Sequence, residues 1–204
     1  MYCPTCRCTY PEWLRSCPPC GAELEPAPPV ETPQECVLGY DELVARLVAA
    51  GGMIEVELAA TNVGMERSWL PFYRGYGHAW AARLRGRSDD MVVDLRTSEV
   101  GRHRVAAFLH YIGYGFAWTK RLEGLICGNA AYLDASKVEM RRRTRFPYRG
   151  YGFAWTQAMS GRCGEQIALM LETTDVARRQ RYQFPYQGYG FAWIRRARLT
   201  LSVA

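Results

Sequence analysis

One phrase recurs four times along this chain of 204 residues: PFYRGYGHAW at 71–80, HYIGYGFAW at 110–118, FPYRGYGFAW at 146–155 and FPYQGYGFAW at 184–193. Aligning the copies on Val63, Val100, Val138 and Val176 gives steps of 37, 38 and 38 residues, a near-constant period that marks a repeat architecture. Ahead of each valine, alternate places hold Ile54, Val56 and Leu58, then Met91, Val93 and Leu95, then Asn129, Ala131 and Leu133, then Ile167, Leu169 and Leu171, all apolar but Asn129. That period of two describes a half-buried strand. A polar motif closes each strand, TNV, SEV, SKV or TDV, whose hydroxyl can bond nearby backbone and hold a turn. An arginine-rich extended segment follows, clearest in RRRTRFPY and RRQRYQFPY. Gly-Tyr-Gly then predicts a tight reversal or bulge, because glycine accepts positive φ without steric cost. FAW opens a further strand, with Phe153 and Trp155 on one face and Ala154 on the other. The expected unit is three strands separated by two turns, with no helix long enough for a crossover.

Four such units, 53–89, 90–127, 128–164 and 165–204, are expected to close on themselves, since closure removes exposed sheet edges. The fold class is mostly β: a four-fold internal-repeat closed all-β domain, barrel-like or a small propeller, with three strands per unit favouring the barrel. Trp80, Trp118, Trp155 and Trp193 then serve as equivalent core anchors. Before the repeats, YDELVARLVAAGG (40–52) reads as one helix. Asp41 is placed to cap its start, Leu43, Leu47 and Val48 form its apolar face, and Gly51 and Gly52 end it. That face is expected to cap an open end of the repeat domain. Residues 26–39 are rich in proline and acid and read as an extended linker.

The head reads MYCPTCRCTYPEWLRSCPPCG. Cys3 and Cys6 form one C-x2-C and Cys17 and Cys20 a second, the arrangement that turns four thiolates onto one tetrahedral ion. A segment this short cannot bury enough surface to fold alone, so the metal has to supply stability. Cys8 competes with Cys6 as a ligand, and the two-plus-two symmetry selects Cys6. Disulfides, a CPPC redox pair and rubredoxin-type iron are alternatives to zinc. The head resembles the short double-CxxC zinc ribbons, with rubredoxin-like knuckles, that open many bacterial proteins. Cys3, Pro4, Cys6, Tyr10, Cys17, Pro18, Cys20, Gly21 and Leu24 carry the resemblance, which covers residues 1–25 and implies a structural zinc and an interaction module, not an activity.

Charge divides unevenly. Residues 1–52 hold three arginines against seven acidic groups, so of the chain's net +6 the remainder carries +10. No apolar run is long enough for a membrane span, no signal peptide is evident, and the cytoplasm is the expected compartment. No phosphate-loop, HExxH or GxSxG motif is present, and His78, His103 and His110 fall at non-equivalent repeat positions. The expectation is therefore a non-catalytic protein with no small-molecule substrate. The GYG tyrosines Tyr76, Tyr114, Tyr151 and Tyr189, with Arg74, Arg143, Arg145, Arg149 and Arg181 around them, suit single-stranded nucleic acid, whose bases stack on aromatics while phosphates meet guanidinium. The alternative is a structural subunit of a protein assembly, its arginines forming interchain ion pairs.

Overall fold

The structure is a computed structural model that describes residues 1–26, 36–70, 73–88, 91–104, 115–142, 152–183 and 187–203. Two short strands, β1 (Tyr2–Cys3) and β2 (Cys8–Thr9), precede the helix α1 (Tyr40–Ala49). Eight long strands follow: β3 (Met53–Leu70), β4 (Tyr73–Ser88), β5 (Met91–Arg104), β6 (Gly115–Ile126), β7 (Asn129–Arg142), β8 (Gly152–Cys163), β9 (Ile167–Gln183) and β10 (Gln187–Val203). Each pairs antiparallel with the next, and β10 returns to β3, closing an eight-stranded barrel. Closure, the mostly β class and, among the described residues, a single helix agree with the sequence. Most of the expected linker, residues 27–35, lies outside the described residues.

Each repeat supplies two strands, not three. The polar motifs are β-bulges within continuous strands: ladder pairing skips Thr61, Ser98, Ser136 and Thr174, the hydroxyl residue of each motif. An unpaired polar residue bends and twists a strand without ending it. Gly-Tyr-Gly likewise lies within a strand at 75–77 and 188–190, with a register slip at Gly75 and regular pairing at 188–190.

Pairing lengths give the molecule two levels. Within repeat 1, β3 and β4 stay paired from Leu58–Gly86 out to Leu70–Tyr73, whereas β4 meets β5 only between Arg83–Arg96 and Ser88–Met91. The same inequality holds around the ring. Beyond the bulges, therefore, four two-stranded arms leave the barrel at one end. There β4 contacts β6 and β10, and β8 contacts β6 and β10, although another strand separates each of these pairs in the sheet. The second strands of the four arms therefore contact one another in a ring, and each carries a buried alanine, Ala79, Ala117, Ala154 or Ala192. A barrel base thus carries a crown of four blade-like arms.

Inward alternation fills the base with Val56, Leu58, Val93, Leu95, Leu122, Leu133, Leu169, Leu171, Leu199 and Leu201. At the arm junction, Thr119 donates to the carbonyl of Ala81 (3.2 Å), Thr156 to that of Thr119, and Thr173 to that of Thr156 (2.7 Å). These hydroxyls satisfy carbonyls left by the bulges, where an unpaired buried group would be costly. Helix α1 closes the opposite end, burying Leu43 and Leu47 completely. Its N-cap is Gly39 without a side-chain cap, so Asp41 stands in the first turn instead, where its charge favours the helix dipole. The Tyr40 hydroxyl donates to the Cys163 carbonyl (3.2 Å) and accepts from the Gln166 amide (2.7 Å). Cys36 donates to the Cys127 sulfur at 2.8 Å, and the Leu38 amide to the Cys127 carbonyl at 3.0 Å, tying the chain before α1 to the β6–β7 turn.

Trp155 and Trp193 are buried, while Trp80 and Trp118 are half-buried. Each faces the residue after a repeat valine: Gly64, Gly101, Glu139 or Ala177. A Cβ built on Gly101 would lie 2.2 Å from the Trp118 indole, so the ring occupies that space. Gly101→Ala is expected to lower stability by about 1–3 kcal/mol through overpacking, whereas Glu139→Ala, where a Cβ is already accommodated, leaves stability within about 0.5 kcal/mol. Chemical denaturation of the two variants beside the parent checks this; equal midpoints would refute the packing account.

Candidate functional site

Two features carry chemistry, a cysteine centre and the charged crown. In the head, β1 and β2 pair through Tyr2–Thr9 and Cys3–Cys8. Arg7, at φ 54, and Gly21, at φ 75, complete the two knuckles, each returning its amide to the first cysteine's carbonyl at 2.8 Å. The Cys6 amide donates to the Cys3 sulfur (3.3 Å). The sulfurs of Cys3, Cys6, Cys17 and Cys20 lie within 4.8 Å of one another. Across the knuckles, Cys3 meets Cys20 at 3.5 Å and Cys17 meets Cys6 at 3.7 Å, close to the roughly 3.8 Å edge of a tetrahedron with metal–sulfur bonds of about 2.3 Å.

Cys8 stands apart. Its thiol donates to the Ala60 carbonyl of β3 at 2.7 Å, and burial pushes it up to about 11. Within the centre, burial and hydrogen bonding to Cys20 and Cys17 raise Cys6, and burial pushes Cys17 up to about 11. The Ala22 amide, against the opposing effect of burial, draws Cys20 down to about 7. Four thiols this close resist joint ionisation, and a cation sharing them removes that resistance. The donor set fits a metal ion.

The head is not an appendage. Thr9 pairs in parallel with Asn62 of β3, and the Thr9 hydroxyl donates to the Thr61 carbonyl at 2.9 Å. Cys3, Tyr10, Cys17 and Leu24 share one core with Val63, Met65, Ala79, Ala177 and Trp193. Tyr10 meets the Trp193 ring edge-on at 6.4 Å, while Cys17 donates to the Tyr10 hydroxyl at 3.5 Å. Pairing of β10 with β3 stops at Ala59–Arg196, and the ribbon fills the seam that opens above it. Sequence reading missed this docking; Cys8, surplus to the ligand count, was its only trace.

Charge follows the two levels. The stretches from repeat valine to tryptophan, 63–80, 100–118, 138–155 and 176–193, hold twelve basic and two acidic residues. The rest of 53–204 holds eleven of each. The barrel is neutral and internally paired: Arg83 and Arg85 with Asp94, Arg121 with Asp134 and Glu99, Arg195 with Asp175, and Arg198 with Glu57 and Glu55. Burial would raise the Asp94 carboxyl, but Arg83 and Arg85 hold it below the ordinary carboxylate range. The +10 excess belongs entirely to the arms.

Of the sequence-predicted partner residues, Tyr114, Tyr151, Arg143, Arg145 and Arg149 lie outside the described residues. Tyr76 and Arg74 fall on β4, Tyr189 on β10 and Arg181 on β9; their backbone is described and their side chains are not. Among the described residues, no helix is long and apolar enough to cross a membrane. No family model, curated protein or solved structure matches the chain.

Cys8→Ser is expected to retain one equivalent of metal per chain, and Cys6→Ser to lose it, because only the Cys6 sulfur faces the other three. Metal release on thiol modification measures the difference; loss in Cys8→Ser with retention in Cys6→Ser would reverse the ligand assignment.

Proposed function

We propose that this protein is a non-catalytic zinc-ribbon adaptor of the reducing cytoplasm whose arm crown binds nucleic acid. The observation that carries this reading is the segregation of charge. A barrel with eleven bases against eleven acids presents no net field, while arms with twelve against two project it from one end. Such a field attracts polyanions and concentrates them at that end. The phrase repeated in each arm is dense in aromatics, which single-stranded bases use as stacking platforms. The opposite end, closed by α1, has Asp41 and Glu42 in its first helical turn and offers no comparable attraction.

Zinc is the metal proposed for the four-cysteine centre, since an S4 set built from two C-x2-C knuckles matches structural zinc sites. Bound there, it would fix the knuckles and hold Tyr10 against Trp193, bracing the seam between the first and fourth arms. Its role is structural.

A second reading, a subunit of a protein assembly, draws on the arms' edges. Past the bulges the arm strands lack ladder partners in the neighbouring repeats among the described residues, and unpaired edges recruit strands from other chains. A salt titration separates the two. Purified protein is expected to bind single-stranded oligonucleotide with an affinity that falls steeply as salt rises, whatever the base sequence. Binding absent at low salt, in a protein that elutes as a large oligomer, would replace nucleic acid with assembly.

A further inference from the structure

The four seams between arms are built on one plan, and their differences are informative. At two of the seams the third residue after one repeat valine and the second residue after the next come together, and the same positions can be read off the sequence at the other two. At the seam of arms 1 and 2 these are Glu66 and Arg102, joined as an ion pair at 2.7 Å. At the seam of arms 2 and 3 the same places hold His103 and Met140. At the closing seam they hold Arg179 and Met65, and the ribbon covers Met65. At the seam of arms 3 and 4 both are arginine: Arg141 and Arg178.

Both guanidiniums converge on one indole. Trp155, buried against Ala192 and Val176 of arm 4, has Arg178 at 4.8 Å and Arg141 at 5.7 Å from its ring centroid. Both arginines are exposed. Glu139 reaches Arg141 only at 3.9 Å, and among the described residues no carboxylate forms an ion pair with Arg178. Cation–π contact holds the two planar groups in place without neutralising them. Where arm 1 supplies a carboxylate, arm 3 supplies a second cation, so the place taken by an anion in one seam is open to an external anion in the other.

We propose that Arg141 and Arg178, stacked on Trp155 between arms 3 and 4, form a phosphate-binding site that takes a phosphodiester of single-stranded nucleic acid. The phosphate element stands on the seam geometry; the nucleic-acid source rests on the function proposed above. Guanidinium forks match phosphate oxygens in two-point contact, and a pair fixed beforehand loses less freedom on binding.

Arg141→Glu tests this, because it rebuilds at seam 3/4 the ion pair already present at seam 1/2 and so is expected to fold. Arg178→Gln is the milder companion, and Arg162→Glu, on the neutral barrel wall, matches the charge change of the first. Circular dichroism verifies each fold. Two probes are used, a fluorescent single-stranded oligothymidylate at several salt concentrations and inorganic pyrophosphate in a thermal melt. The expected result is oligonucleotide binding weakened about tenfold or more by Arg141→Glu, and a salt slope shallower by roughly 0.7 for each phosphate that is no longer neutralised. Arg178→Gln should weaken it less, and Arg162→Glu by under about twofold. Pyrophosphate should raise the melting temperature of the parent and not of Arg141→Glu. If the parent binds oligonucleotide and the seam variants bind equally well, or Arg162→Glu weakens binding as much, the seam site is overturned and nucleic-acid binding survives. If oligonucleotide fails to bind but the pyrophosphate shift is present and abolished in the seam variants, the phosphate site stands and the nucleic-acid reading falls. If neither probe distinguishes parent from seam variants, the site does not exist.

Discussion

Everything above the barrel depends on how four tryptophans, two of them buried and two half-buried, are packed by strands that have left their neighbours' sheet. A two-stranded arm has too little surface to enclose an indole, which presents on the order of 150–250 Å², and an isolated hairpin is marginal in water. The fold answers by lateral support. Trp155 of one arm packs on Val176 and Ala192 of the next, and Trp193 packs toward Val63 and Ala79 of the first. Each arm is therefore completed by another, and ring closure is a condition for burial as well as a way to hide edges. The small residues Gly64, Gly101 and Ala177, opposite Trp80, Trp118 and Trp193, make room for the rings.

Closure is harder at one place than at the others. Successive repeats follow one another along the chain, with short turns at 127–128 and 164–166, but the last and first repeats meet only through the β10–β3 ladder. That ladder ends at Ala59–Arg196, just where the arms begin. The ribbon occupies this gap, adding a parallel pairing to Asn62, a thiol bond to Ala60 and an aromatic contact to Trp193. Since the ribbon's own core is built around its cysteines, an ion bound by those four sulfurs would strengthen the seam as well as the ribbon. A module attached at the front of the chain thus reinforces the repeat ring at its one non-covalent junction.

Much of this was legible in the sequence because its signals are local. Alternating apolar residues gave the strands, the 38-residue step gave their number of repeats, and the two C-x2-C pairs gave the candidate ligands. The bulges were misread as turns for a physical reason. A hydroxyl residue between apolar runs satisfies its own backbone in either geometry, and only pairing across the hairpin reveals that the strand continues through Thr61 or Ser136. The count of strands per repeat failed with it. The docking of the ribbon was hidden because it joins residues far apart along the chain, such as Cys8 with Ala60 and Tyr10 with Trp193. The segregation of charge was present in the sequence but could not be seen until the bulges showed where barrel ends and arm begins.

A four-fold repeat has four related seams, and the closing one differs from the rest in being joined only through the β10–β3 ladder. The other three differ from one another in the residues they place at the same two positions. One is joined by an ion pair of Glu66 with Arg102; one has histidine and methionine at the same two sequence positions; the closing one is covered by the cysteine-centred head. The remaining seam places Arg141 and Arg178 together on an indole, an arrangement that like-charge repulsion disfavours and that the fold shows how to avoid at its first seam. The same two arms also carry most of the excess charge, seven of the ten. A neutral barrel, a closing seam covered by the ribbon and a strongly positive pair of arms therefore divide the molecule into a scaffold and one side of concentrated positive charge, where the symmetry of the repeat is broken.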